Sequence, residues 1–119
     1  MTIEERIVGS VVVLDLVGSL TVNEAERFRD KMHSLVFDGR RAFVLNMERL
    51  NYMDSTGLGS LVSAYTTVTR AGGHIGLVHL TSRVNNVMTI TKLLTVFEVF
   101  ESEALAVVQL SAKTAKPSA

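Results

Sequence analysis

The segment Asp54-Ser55-Thr56-Gly57-Leu58-Gly59 places two hydroxyl groups beside a carboxylate, at a predicted junction between a strand and a helix. Asp and Ser are favoured N-cap residues, because a side-chain oxygen accepts a hydrogen bond from an otherwise unpaired backbone N–H. One interpretation of the segment is therefore helix capping. The other is a modification site, since the amides and dipole of a helix start tolerate an anion such as a phosphate on Ser55 or Thr56. The glycines would let another backbone approach closely.

Catalytic arrangements are not supported by the sequence. The nucleophile elbow requires a Gly two residues before the Ser, where this chain has Met53. No Lys follows Gly57 and Gly59 in the register of a phosphate-binding loop. Spacing brings no second carboxylate to Asp54 from Asp15, Asp30 or Asp38, and gives no metal-ligand pattern among His33, His74 and His79. We therefore expect no enzyme, no metal and no cofactor, with Ser55 as a nucleophile the remaining enzymatic alternative.

Apolar patterns predict an α/β domain with the element order β-β-α-β-α-β-α-β-α. A Gly9-Ser10 turn joins two β-branched runs into an opening hairpin, and Gly18 is expected to end the second strand. Thr21 stands three residues before Glu24, the spacing of a capping box, which predicts a first helix that ends near residue 37 and closes at Gly39. Apolar runs at residues 42–47, 75–80 and 96–100 predict further strands, and residues 52–59 are interpreted as a link.

Stop and cap signals predict the remaining helices. The apolar stripe of the second helix comprises Leu58, Leu61, Val62, Tyr65 and Val68, and Gly72-Gly73 ends it. We interpret Leu58 as core, with partner contact as the alternative. Ser82 is expected to cap the third helix, and Ser102 to open the fourth. Strand–helix alternation after a hairpin predicts a mixed sheet, parallel in its middle. Residues 1–110 are expected to form one domain, and the polar residues 111–119 a disordered tail.

Composition excludes several classes of protein. The 119 residues are 47% hydrophobic and 20% charged, with a net charge of zero and no Cys. Balanced charge provides no basic surface for nucleic acid, and the absence of Cys excludes disulfides and thiolate metal sites. The amino terminus lacks the pattern of a signal peptide, and no apolar run is long enough to span a bilayer. We therefore expect a cytoplasmic domain with no membrane insertion.

Residues 43–47, Phe-Val-Leu-Asn-Met, are followed at residues 50–60 by Leu-Asn-Tyr-Met-Asp-Ser-Thr-Gly-Leu-Gly-Ser. This sequence resembles the core signature of STAS domains, specifically the bacterial anti-sigma factor antagonists. The resemblance extends over residues 3–110 in element order as well as in motif. Its specific part is residues 53–59, while the flanking apolar strands are common to many α/β domains.

The resemblance implies a STAS-like sandwich that acts as a protein–protein switch. In the family, the Ser directly after the Asp of this motif, here Ser55, is phosphorylated by a partner that is both serine kinase and anti-sigma factor. The unphosphorylated antagonist binds that partner and frees a sigma factor; the phosphorylated form is released until a serine phosphatase restores it. ATP belongs to the partner. The partner-binding residues implied are Asp54, Ser55, Thr56, Gly57, Leu58, Gly59, Ser19 and Thr21.

The loop after the second strand departs from the family pattern. Family members often have Gly-Glu-Leu-Asp or Gly-Asp-Ile-Asp there, whereas this chain has Gly18-Ser19-Leu20-Thr21, so two acidic positions are hydroxyls. Because this loop lies near the phosphorylation site in the family, the difference bears on partner choice. The alternative function is a non-switching STAS adaptor, such as a subunit of a lipid-transport ATPase or of a signalling scaffold.

Overall fold

A six-stranded mixed sheet with four α-helices forms the protein, and the computed structural model describes residues 1–115. The strands are β1 Thr2–Val8, β2 Val11–Leu20, β3 Ala42–Asn46, β4 Leu50–Met53, β5 His74–Val78 and β6 Glu98–Phe100. The helices are α1 Val22–Phe37, α2 Ser55–Arg70, α3 Ser82–Ile90 and α4 Glu103–Ala115, with a short 3₁₀ helix at Leu93–Thr95. The predicted fold class is confirmed.

The sheet has the strand order β1-β2-β3-β5-β6, and β4 pairs with the far end of β2. Only β1 runs antiparallel to its neighbour; the other pairs are parallel. The predicted element order omits β4, whose last two residues, Tyr52 and Met53, fall in the segment 52–59 that we interpreted as a link. This strand carries the chain from β3 to the start of α2.

Glycines shape both ends of β2. Gly9 has φ +62° in the turn between β1 and β2, which confirms the predicted hairpin. Gly18 was expected to end β2, and that prediction is wrong. Its φ of +109° accompanies a shift of register between Gly18 and Ser19, after which β2 continues to Leu20 in pairing with β4. Such a bulge redirects a strand without ending it.

Alternate residues of the central strands enter two hydrophobic cores. The larger core lies between the sheet and the α1–α3 side and includes Leu14, Phe28, Phe43 and Leu61. The smaller core lies under α4 and comprises Val11, Val13, Ala42, Val44, Val78, Ala106 and Leu110. Because both faces are covered, the central strands contain nearly continuous apolar residues.

Helix starts differ from the prediction in two places. Thr21 is the N-cap residue of α1, but its side chain makes no capping hydrogen bond, so the predicted hydroxyl cap is wrong. The cap of α3 is Thr81, whose hydroxyl accepts from the Val84 amide, and Ser82 is the first helical residue. The prediction that Ser102 opens the fourth helix is confirmed, since α4 begins at Glu103 and the Ser102 hydroxyl accepts from the Leu105 amide at 3.1 Å.

The fourth helix extends past the predicted end of the domain. α4 continues to Ala115, so the prediction of a disordered segment is wrong for residues 111–115. The Lys113 ammonium group binds both carboxylate oxygens of Glu98, at 2.6 and 2.7 Å, and holds the last turns of α4 against β6. Residues 116–119 of the predicted tail lie outside the described residues. Within residues 1–115, no helix combines the length and apolar character needed to cross a membrane.

Candidate functional site

Asp54 joins the starts of two helices. Its Oδ1 accepts a hydrogen bond from the Gly57 amide at 2.7 Å, which caps α2. Its Oδ2 accepts from the amide of Val22, the first residue of α1, at 2.9 Å. The Asp54 amide in turn donates to the Leu20 carbonyl at 3.3 Å. One carboxylate therefore satisfies an unpaired donor at each helix start and fixes the positions of both helices relative to the end of β2.

These amides also fix the charge of the carboxyl group. The Gly57 amide is the largest of several influences that hold the pKa of Asp54 below its ordinary value of 3.8; the Val22 and Thr56 amides act in the same direction, while partial loss of water opposes them. Hydrogen bonds to the charged form stabilise that form. Asp54 is therefore ionised at neutral pH.

Ser55 is the first residue of α2 and is exposed. Among the described residues, no side-chain hydrogen bond involves its hydroxyl, because Asp54 supplies the cap. Thr56 is exposed in the same way. Of the two interpretations of this segment, capping therefore applies to Asp54, and it does not account for the hydroxyl groups of Ser55 and Thr56.

The two glycines of the motif have different surroundings. A Cβ added at Gly57 would lie 1.9 Å from the Leu20 carbonyl oxygen, so only glycine lets α2 approach the end of β2 this closely. A Cβ added at Gly59 would meet nothing within 4 Å, and Gly59 is exposed. Gly57 thus has a role inside the chain, whereas packing within the described residues gives no reason for glycine at position 59.

The remaining residues of the motif pack inward. Leu58 is half-buried and packs against the larger core, in agreement with our interpretation of it as a core residue. Ser60, which sequence reasoning did not single out, is fully buried, and its hydroxyl donates to the Gly57 carbonyl at 2.6 Å. This bond supports the first turn of α2. A Ser on the apolar side of the helical pattern was the only signal for it in the sequence.

The structure brings the loop after β2 to the same place. Ser19 pairs with Tyr52 in the β2–β4 register, and Thr21 lies between Leu20 and Val22, whose backbone groups both bind Asp54. Ser19 and Thr21 are half-buried. The expectation that this loop lies beside Asp54 and Ser55 is therefore met in the geometry.

Two exposed apolar side chains near the motif were missed by sequence reasoning. Val22 is 60% exposed at the start of α1, and Tyr52 is 44% exposed on β4. Each is directly linked to the site: the Val22 amide binds Asp54, and Tyr52 lies two residues before it. The capping-box pattern predicts the cap of α1 and contains no signal for an outward-facing Val22.

A second cluster of ionisable residues stabilises a different part of the fold. Asp15, which we considered as a carboxylate partner for Asp54, binds Arg6 at 2.6 and 2.9 Å. Arg6 also binds Glu103 at 2.6 and 3.0 Å, and these two carboxylates raise the pKa of Arg6. The Arg6 hydrogen bond likewise holds the pKa of Glu103 below its ordinary value. This cluster ties the start of α4 to β1 and β2. Residues 1–115 contain no group of three or more potential metal ligands.

Fold and site together define an α/β domain that presents exposed hydroxyl side chains at the start of a helix, beside an ionised capping carboxylate. The chain belongs to the STAS domain family, whose sequence model matches residues 2–106. The resemblance identified from the sequence is thereby confirmed.

Two relatives with assigned functions are named anti-sigma factor antagonists. The chain is 24% identical over 103 residues to the anti-sigma F factor antagonist of Paenibacillus polymyxa, covering 84% of this chain and 86% of that protein. It is 29% identical over 86 residues to the anti-sigma-B factor antagonist of Bacillus subtilis (strain 168), covering 72% and 78%.

Solved structures share the fold. The anti-sigma factor antagonist SpoIIAA in its unphosphorylated form superposes with a TM-score of 0.72 at 21% identity, over 93% of this chain and 98% of that one. The phosphorylated form of the Bacillus SpoIIAA also gives 0.72, at 24% identity, over 91% and 98%. An anti-sigma factor antagonist from Mycobacterium paratuberculosis gives 0.81 at 19% identity, over 92% and 93%.

Proposed function

We propose that this protein is an anti-sigma factor antagonist controlled by phosphorylation of Ser55. In its unphosphorylated form it binds an anti-sigma factor with serine kinase activity and so frees a sigma factor. The observation that carries the proposal is that Asp54 takes over helix capping and leaves the Ser55 hydroxyl exposed, without a side-chain partner among the described residues. The names of the relatives support the class of partner, and SpoIIAA provides a precedent for a phosphorylated form.

The modification is a phosphoryl transfer from ATP bound to the partner. The Ser55 oxygen forms a bond to the γ-phosphorus, the bond from that phosphorus to the β,γ-bridging oxygen breaks, and ADP leaves. A base of the partner accepts the hydroxyl proton. A serine phosphatase reverses the modification by transferring the phosphoryl group to water, which yields inorganic phosphate. This chain contributes the acceptor hydroxyl and its placement, and these reactions take place in the cytoplasm.

The charge of the phosphate explains how the switch operates without a change of fold. Phosphorylation adds about −1.5 to −2 charge and three acceptor oxygens. The start of α2 favours an anion, so the free domain tolerates the group. In a complex, the same charge must lose its water against a surface that fits a hydroxyl, beside the ionised Asp54. A penalty of about 3 kcal/mol weakens binding about a hundredfold.

Binding of purified serine-kinase anti-sigma factors from the source organism, measured by calorimetry, tests the proposal. Ser55→Ala is expected to bind like wild type and to accept no phosphate, whereas Ser55→Asp loses about a hundredfold in affinity. Thr69→Asp is the matched control, because it adds the same charge at an exposed position near the other end of α2. Circular dichroism checks that each variant is folded.

The position of the phosphate is found by mass spectrometry after incubation with the kinase and ATP. A phosphate on Thr56 instead of Ser55 would move the switch by one residue. If wild type and Ser55→Asp bind the same partner equally well, the switch does not exist. The protein would then be a non-switching adaptor, for which co-purification with a membrane ATPase is the corresponding check.

A further inference from the structure

A small cleft lies at the opposite end of β2 from Ser55. We call it the arginine cleft; it has a volume of about 320 Å³ and is lined by Ser10, Gly39, Arg40, Arg41, Ala42 and Thr114. Ser10 immediately precedes β2, and Leu20 at the other end of β2 binds Asp54. Ten residues of strand, about 30 Å, therefore separate the arginine cleft from the start of α2.

The two arginines of the cleft lack a counter-charge. Among the described residues, five basic side chains form ion pairs with carboxylates: Arg6, Arg27, Lys31, Arg49 and Lys113. Arg40 and Arg41 are half-buried, and neither forms an ion pair with a described carboxylate, although Asp38 lies only two positions before Arg40. The residues that line the cleft include no Asp or Glu. Two adjacent positive charges thus lie in a partly buried place without an anion beside them.

Arg41 is fixed at both its side chain and its backbone. Its Nη1 donates to the carbonyl oxygens of Val36 and Arg40, each at 2.8 Å. Its own carbonyl oxygen accepts from the His74 amide at 2.7 Å, and a Cβ at Gly73 would clash with that oxygen. Closing the end of α1 accounts for the two bonds of Nη1. It uses neither Nη2 nor Nε of Arg41, and it gives no role to the side chain of Arg40.

The chemistry of the lining favours a phosphate group. Guanidinium groups bind phosphate oxygens through parallel, charge-assisted hydrogen bonds. A phosphate monoester carries a charge of about −1.5 to −2 at neutral pH, which matches two arginines better than a single carboxylate does. The Ser10 hydroxyl, exposed in the turn before β2, adds a neutral donor. Because the lining contains no aromatic or large apolar side chain, the ligand must be small and hydrophilic.

We propose that the arginine cleft binds a phosphate group, as inorganic phosphate or as a small phosphate monoester, between the guanidinium groups of Arg40 and Arg41, with the Ser10 hydroxyl as a further donor. The Thr114 hydroxyl already donates to the Leu110 carbonyl at 3.0 Å, so Thr114 forms a wall of the site. This inference goes beyond the proposed function and does not depend on it, because Ser55 lies at the other end of β2.

Titrations of the full chain with sodium phosphate, glycerol 3-phosphate and succinate, followed by amide chemical shifts in NMR at one ionic strength, test the proposal. We expect saturable shifts at residues 39–42 and an affinity for at least one phosphate about tenfold or more above that for succinate. Whichever phosphate binds more tightly identifies the source of the group. Ser55→Asp should bind phosphate like wild type.

Arg40→Gln should weaken phosphate binding by about tenfold or more, because it removes a charge-assisted contact. Arg83→Gln is the matched control, since it removes the same charge from an exposed residue at the start of α3 and should bind phosphate like wild type. Circular dichroism checks that both variants are folded.

Three results would overturn the inference. If succinate binds as tightly as both phosphates, the cleft responds to negative charge alone. Equal losses in Arg40→Gln and Arg83→Gln would mean that phosphate responds to the net charge of the protein. Shifts that do not saturate, or that lie away from residues 39–42, would mean that no phosphate site exists in the cleft.

Discussion

Replacing Gly57 by Ala is expected to cost about 3 kcal/mol of folding free energy, the upper part of the range for overpacking a core. The added Cβ would lie 1.9 Å from the Leu20 carbonyl oxygen and 2.8 Å from its carbonyl carbon, where real contacts do not fall below 3.0 Å. The obstacle is backbone and not the end of a flexible side chain. Either α2 or the end of β2 must therefore move by about an ångström to make room.

Two smaller effects accompany the clash and nearly cancel. The Leu20 carbonyl accepts a hydrogen bond from Asp54, and Leu20 pairs with Met53 in the β2–β4 ladder, so displacing it weakens a bond worth about 1 kcal/mol. Alanine in place of glycine returns about 1 kcal/mol of helix propensity. The clash thus sets the net value.

Urea unfolding and calorimetry of Gly57→Ala and Gly59→Ala measure how much each substitution changes the folding free energy. A loss of 3 kcal/mol lowers the Tm of a domain of this size by about 10–15 °C. The Gly59 variant, with open space for its methyl group, should gain about 0.5–1 kcal/mol and a Tm a few degrees higher. The reasoning is refuted if the two variants shift stability by the same amount, or if Gly57→Ala is as stable as wild type.

Two further predictions concern the caps and the capping carboxylate. Thr81→Ala should lose about 1 kcal/mol of unfolding free energy, because the Thr81 hydroxyl accepts from the Val84 amide and donates to the Leu50 carbonyl. Thr21→Ala should stay within about 0.5 kcal/mol of wild type, because the Thr21 side chain makes no capping hydrogen bond. Equal losses in urea unfolding would contradict the assigned caps. The pKa of Asp54 is lowered on folding, so its contribution to stability is complete above the unfolded value near 3.8 and is lost as the pH falls through the folded value. Urea unfolding at decreasing pH measures the difference in unfolding free energy between wild type and Asp54→Asn. This difference should be constant near neutral pH and shrink below pH 3.8. A difference that does not change with pH would argue against the carboxylate's role.

Local patterns predicted the elements whose partners lie nearby or whose two faces are both buried. Turn residues and apolar periodicity predict the hairpin at Gly9, the helix α1 with the positive-φ Gly39 just beyond its end, and the buried strand β3. β4 was missed because its four residues are buried, exposed, exposed and buried, which is neither strand nor helix periodicity. Its hydrogen-bonding partner is the end of β2, about thirty residues earlier, beyond the reach of a local pattern.

The sequence predicted where the site lies but not the hydrogen bonds that link its residues. Asp54 as a cap follows from residue type, yet its second bond, to Val22, spans 32 residues and replaces the expected role of Thr21. Glu24, the acidic member of the apparent capping box, pairs instead with Arg27 and the amino terminus. The contrast between Gly57 and Gly59 is equally invisible in sequence, because it depends on where the Leu20 carbonyl lies.

Among the described helices, α4 covers the smaller core on its face of the sheet, which affects how the protein folds during synthesis. Until residues 103–115 leave the ribosome, the nascent chain has no cover for Val11, Val13, Val44 and Val78. An exposed apolar surface of this kind is a site for chaperones or other unfinished chains. A chain that stops before Glu103 is therefore expected to leave these valines exposed and to aggregate more readily than the chain that contains α4.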